Sequence, residues 1–131
     1  MHEGAIAEGI LSIALDYLRK NRGTVIGEVG LKLGELSGVE EYALQTAWTV
    51  VTRGTAAKNA VLVINRVPLV GQCRSCNKNI PIGKDIREAA GLSEIEYGPH
   101  LMPYSFICPH CGKPLEVVSG REMQVDYLDM D

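Results

Sequence analysis

The chain has 131 residues, 46% hydrophobic and 22% charged, which suits one ordinary domain with a small appendage and excludes wholesale disorder. A formal net charge of −3 excludes a protein built mainly to coat nucleic acid. No apolar run nears the roughly 18 residues of a membrane span, and Glu3 and Glu8 stand where a signal peptide would be basic, so a cytoplasmic protein with no membrane partner is expected. Only 5% of the residues are aromatic, so aliphatic side chains must fill the core.

Residues 3–20 carry Ile6, Ile10, Ile13, Ala14 and Tyr17 at three- and four-residue steps, which predicts a helix. Leu11, Leu15 and Leu18 widen its apolar face. Asn21-Arg22-Gly23 supplies the stop, with Gly23 free to take the left-handed conformation. Residues 24–34 switch to period two, Val25, Val29, Leu31 and Leu33 on one side and Ile26, Glu28 and Lys32 on the other, the pattern of a half-buried strand. Gly27 and Gly30 permit a bulge or a close approach.

Ser37 and Glu40 have the spacing of a capping box, so a second helix is expected from about 39 to 53, with Leu44, Ala47, Trp48 and Val51 as its stripe and Gly54 at its end. Ala60–Ile64 reads as a strand limited by Pro68. Residues 121–128 alternate again and read as a strand returning to the first sheet. The region of about 70–118 is then an insertion between two strands of an α+β domain, an α/β-type three-stranded sheet with two helices.

All four cysteines lie in that insertion. Cys73-Arg-Ser-Cys76 and Cys108-Pro-His-Cys111 are two CxxC knuckles separated by 31 residues. In the reducing cytoplasm disulfides do not persist. Each two-residue spacer lets both sulfurs face one ion, and two knuckles offer four thiolates in the tetrahedral directions that Zn²⁺ takes. Four thiolates close the coordination sphere, so the site is structural and the insertion is zinc-ribbon-like. Iron also suits four cysteines; a redox CxxC is usually single. His110 reads as an exposed spacer, although an imidazole there is able to replace a cysteine. From Cys73 to Cys111, Arg74, Lys78, Lys84 and Arg87 balance Asp85, Glu88, Glu94 and Glu96, which argues against a nucleic-acid ribbon.

The first three residues, Met1-His2-Glu3, offer a second chemistry. A free α-amine loses its proton near pH 7.7–8.0. The amine, the His2 amide nitrogen and the His2 imidazole form two fused chelate rings, nitrogen donors that suit square-planar Ni²⁺ or Cu²⁺. The Glu3 amide, or a side chain from elsewhere, closes the square. A frayed terminus with a solvent-exposed histidine is the competing reading, and the residues alone leave both open.

Met1-His2-Glu3 opening a helix, the run Val29-Gly-Leu-Lys-Leu-Gly-Glu-Leu36, the helix end Arg53-Gly-Thr55-Ala, the paired knuckles and Gly120-Arg121-Glu122-Met123 together resemble the HypA/HybF family of hydrogenase nickel-incorporation proteins over essentially the whole chain. The resemblance implies a metallochaperone that carries Ni²⁺ to the large subunit of [NiFe]-hydrogenase, with the nucleotide-hydrolysing chaperone HypB as partner. It implies His2 as nickel anchor, the Met1 amine and the Glu3 backbone beside it, and an orienting role for the Glu3 carboxylate. His100, in His100-Leu-Met-Pro103, matches a histidine that joins the nickel site in some members. Cys73, Cys76, Cys108 and Cys111 are the implied zinc ligands. The expected domains are a nickel-binding one, residues 1–69 and 119–131, and a zinc-binding one, residues 70–118. The sequence offers no nucleophile–base pair, phosphate-cradling loop or carboxylate dyad, so no catalysis is expected. The alternative is a zinc-ribbon interaction or nucleic-acid module with no nickel role.

Overall fold

The computed structural model describes residues 2–89 and 106–131. Helix α1 (Glu3–Lys20) buries Ile6, Ala7, Ile10, Leu11, Ala14 and Leu18 and packs on α2 (Glu41–Val51). Ile13 and Tyr17, which the periodicity assigns to the same face, are 52% and 56% exposed. The buried stripe is rotated from them toward Ala7, Leu11 and Leu18. The helix ends with Gly23 N–H donating to the Leu18 carbonyl at 2.9 Å. The left-handed residue is Arg22, with φ 56°, and not Gly23 as expected.

Strand β1 (Ile26–Gly34) places Ile26, Val29, Leu31 and Leu33 in the core and leaves Val25 exposed. The alternation therefore holds from Val29 onward but is broken before it, and Ile26 takes the place expected for Val25. Val25 itself precedes the strand, its carbonyl accepting from Asp131 N–H. Gly30 has a task of its own. A Cβ there would sit inside the ring of Tyr127, which covers the glycine from the neighbouring strand. The Tyr127 hydroxyl donates to the Glu28 carboxylate at 2.5 Å, fixing the ring over that gap.

The capping box expected at Ser37 is not used. Leu36 and Ser37 are drawn into a buried 3-10 turn, Glu35–Ser37, so the helix starts later. Glu40 is the N-cap of α2, and its own carboxylate accepts from the Tyr42 and Ala43 amides at 3.2 and 2.6 Å. Trp48 anchors α2: its indole N–H donates to the Ala60 carbonyl at 3.0 Å in the interior. Strand β2 (Val61–Val67) runs beyond Ile64 to the residue before Pro68.

Two sheets result. The first has the order β2-β1-β6, with β6 covering Met123–Met130. Gly34 N–H reaches the Glu122 carbonyl at 2.7 Å and Asp131 N–H reaches Val25 at 2.9 Å, so β1 and β6 run antiparallel. The second has the order β4-β3-β5, from β3 (Val70–Cys73), β4 (Lys78–Pro81) and β5 (Glu116–Ser119), all antiparallel, with Val70 opposite Pro81 and Cys73 opposite Lys78. A short helix, α3 (Lys84–Ala89), follows β4. The fold is thus α+β with a second small sheet that carries the cysteines.

The chain divides into two compact units: residues 1–32, 39–65 and 123–131 form one, and residues 33–38 and 66–122 the other. Among the described residues no helix is long and apolar enough to cross a membrane.

Candidate metal centre

The knuckles are built by two small turns. Cys73 ends β3, and the Cys76 amide points back at its sulfur, N···Sγ 3.4 Å. Asn77 follows with φ 55°, the left-handed turn that starts β4. On the other side Ile107 bridges Pro114, the Cys108 amide donates to Lys113 at 2.8 Å, and the Gly112 amide donates back to Cys108 at 2.9 Å. Gly112 has φ 75°, a conformation that a side chain would strain.

The four sulfurs converge within 4.8 Å of one another. Cys73 and Cys111 are 3.4 Å apart, and Cys76 and Cys108 are 4.0 Å apart. A tetrahedron with Zn–S bonds near 2.3 Å has edges of about 3.8 Å, between those two values. Zn²⁺ therefore fits the cage. The donor set agrees, since among the described residues no imidazole or carboxylate joins the four soft sulfurs. His110 is exposed in the second spacer, outside the cluster. The Cys76 amide, helped by the neighbouring sulfurs, brings the Cys73 thiol down to about 7. Its neighbours Cys111 and Cys73 push Cys76 up to about 12. Four crowded thiols resist full ionisation by themselves, and a divalent cation removes that repulsion.

A hydrophobic core holds the cage. Leu36, Leu69, Ile80, Ile82, Phe106 and Leu115 bury themselves around Cys73 and Cys108, with Cys76 half-buried and Cys111 exposed. Leu36 comes from the 3-10 turn, far from either knuckle in sequence, and spacing gives no hint of it. Arg87 of α3 pairs with Glu35 of the same turn.

The second candidate site is the start of α1. His2 is its N-cap, with φ −85° and ψ 116°; its carbonyl accepts from Ile6 N–H at 3.2 Å, and its side chain makes no capping bond. The imidazole is exposed. Glu3 is differently occupied. Its carboxylate accepts from the Glu40 backbone N–H at 3.2 Å, and that N–H holds the carboxyl below its usual range. Glu40 in turn caps α2. The two acidic residues thus join the starts of both helices, a role for Glu40 that the sequence signals only as a helix-capping residue. Met1 and His100, both expected at the nickel site, lie outside the described residues.

Residues 1–130 match the family model described as hydrogenase/urease nickel incorporation, metallochaperone, HypA. The hydrogenase maturation factor HypA of Albidiferax ferrireducens is 31% identical over 132 aligned positions, covering 100% of both chains. The protein of the same name from Pyrococcus furiosus is 31% identical, covering 98% of this chain and 94% of its own. The fold is similar to the solution structure of the Ni metallochaperone HypA from Helicobacter pylori, with TM-score 0.61, 20% identity, and 99% and 97% of the two chains covered. A further HypA solution structure superposes with TM-score 0.65 over 100% of this chain and 97% of that one, again at 20% identity. With a full-length family match and relatives above 30% identity, this chain belongs to the HypA family of nickel metallochaperones for hydrogenase maturation, which are not enzymes.

Proposed function

We propose that the protein binds one Ni²⁺ at its N-terminus and delivers it to the large subunit of [NiFe]-hydrogenase, with HypB as the nucleotide-hydrolysing partner. His2 is the anchor, the Met1 amine and the Glu3 backbone stand beside it, and His100 completes the set. Cys73, Cys76, Cys108 and Cys111 hold a structural Zn²⁺. In this reading residues 1–69 and 119–131 serve nickel and residues 70–118 serve zinc.

The observation that supports the nickel reading most is the state of His2. It holds the N-cap position through its backbone alone, so its imidazole has no structural task in α1. The first-turn amides of a helix have no carbonyl partner within it, and metal ligation there breaks no hydrogen bond of the ladder. The Glu3 carboxylate supports an orienting role: its bond to Glu40 N–H ties the α1 start to the α2 cap. The two metals then have opposite demands. Zinc in a closed thiolate cage stays and stabilises the fold. Nickel at a chain end, with few and exposed protein ligands, leaves by stepwise exchange with an incoming acceptor.

The test is nickel stoichiometry by equilibrium dialysis on zinc-loaded protein without an N-terminal tag, beside His2→Ala. About one nickel in the native protein and none in the variant is expected. Equal nickel in both would remove the N-terminal site and leave a zinc-ribbon interaction module.

A further inference from the structure

The four sulfurs of the cage are not equally open to solvent. Cys73 and Cys108 are buried, Cys76 is half-buried and Cys111 is exposed. The asymmetry comes from what surrounds them. Leu69, Ile80, Ile82, Phe106 and Leu115 close around Cys73 and Cys108. Residues 109–114, which carry Cys111, are all exposed, and a Cβ added at Gly112 meets nothing within 4 Å. A small solute therefore reaches the Cys111 residue first.

Cys111 also has a thiol neighbour placed to react with it. Its sulfur lies 3.4 Å from that of Cys73, across the two knuckles and 38 residues away in sequence. The other two sulfurs, of Cys76 and Cys108, stand 4.0 Å apart and also belong to different knuckles. The cage is thus made of two cross-knuckle pairs, and one pair has a solvent-facing member. A cysteine that coordinates a metal is deprotonated, and the thiolate is the nucleophilic form. Oxidation selects thiolates that solvent reaches and that have a second cysteine beside them.

We propose that Cys111 is a site of reversible oxidation by hydrogen peroxide, with Cys73 as its resolving thiol, and that the resulting disulfide empties the cage, an assignment that rests on the zinc reading of the four cysteines. The Cys111 sulfur attacks one peroxide oxygen: an S–O bond forms, the O–O bond breaks and hydroxide leaves. The Cys73 sulfur then attacks Cys111: the S–S bond forms, the S–O bond breaks and a second hydroxide leaves. Two thiolates give up two electrons in all, and one peroxide is reduced to two hydroxides. Cys76 and Cys108 remain, and two donors do not complete a tetrahedral shell. The new bond keeps the two knuckles together, so reduction returns four thiols that are already gathered. A disulfide within one knuckle would leave the two knuckles untied.

The test treats zinc-loaded protein with one equivalent of hydrogen peroxide. A chromophoric chelator follows zinc release, and peptide mapping locates the disulfide. Native protein should lose its zinc and form Cys73–Cys111, and dithiothreitol with added zinc should refill the cage. Cys111→Ser and Cys76→Ser each keep three cysteines, so the two variants control for weakened binding. Cys111→Ser should release zinc roughly tenfold more slowly than Cys76→Ser after peroxide. In Cys73→Ser the sulfenic acid lacks its resolving thiol, and a cyclic 1,3-diketone should label Cys111.

A first disulfide within one knuckle overturns the proposal. So does a diketone label on a cysteine other than Cys111, or zinc retained by native protein once Cys73–Cys111 has formed. If a variant holds no zinc, mapping of the native protein decides. If the native protein binds no zinc while peroxide still joins Cys73 to Cys111, the zinc reading fails and the oxidation site stands.

Discussion

Leu36→Ala should weaken zinc binding although Leu36 is no ligand and precedes Cys73 by 37 residues. Leu36 is 3% exposed and belongs to the cluster that includes Cys73 and Cys108. Truncating a buried leucine costs about 2–5 kcal/mol. A turn residue at the margin of a small core belongs in the lower half of that range, about 2–3 kcal/mol. The cage does not pre-exist in the unfolded chain, so zinc affinity carries the folding free energy of its unit. At about 1.4 kcal/mol per tenfold, the zinc Kd should rise by roughly 30- to 150-fold. Competition against a chromophoric chelator at fixed pH measures this. Trp48 lies in the other unit and serves as an internal control, so its emission should hold in the variant. An unchanged zinc Kd, with Leu36→Ala folded, would refute the argument that the apolar cluster supports the cage.

Three more outcomes follow from named contacts. Gly30→Ala should cost about 1–3 kcal/mol by forcing the Tyr127 ring aside, and chemical denaturation should show a smaller cost in a Tyr127→Ala background. The Glu28 carboxylate raises the Tyr127 hydroxyl above the usual tyrosine range, so an ultraviolet alkaline titration should contain a step above that range, and Tyr127→Phe should remove it. Because its folded value is the raised one, the contribution to stability is complete below the unfolded tyrosine range and is lost as pH climbs through the folded value. Glu3→Gln keeps an oxygen for the Glu40 amide and should release nickel at the native rate. Glu3→Ala should release it faster by no more than about fivefold, since an exposed bond is worth under about 1 kcal/mol; identical stopped-flow rates in all three proteins would count against an orienting role.

Much of the fold was legible because it depends on periodic burial and on turn chemistry. The 3.6-residue rhythm of α1 and the return of β6 to β1 follow from apolar spacing. The convergence of the cysteines follows from two identical spacers. What stayed hidden depended on tertiary contacts. Val25 and Ile26 are equally apolar neighbours, and only the start of β1 at Ile26 decides which is buried. Ser37 has the right chemistry for a cap, yet burial of Leu36 draws its turn into the cysteine core and leaves Glu40 to begin α2. The tie between Glu3 and Glu40 joins residues 37 apart in sequence, and nothing in either local pattern signals the other.

The division of the chain has a consequence for biosynthesis. The backbone passes between the two units four times, at residues 32–33, 38–39, 65–66 and 122–123. Strand β1 emerges from the ribosome early, but its partner β6 emerges only after both knuckles. The unit that contains His2 therefore lacks one edge of its sheet until the cysteine unit has been translated. Non-local pairing of this kind is slow to form, and domains tend to fold as they are made. A nascent chain is then free to complete its cage before it has a finished sheet on which to present His2. In the nickel reading proposed above, this connectivity lets the zinc cage form before the unit that carries His2 is complete.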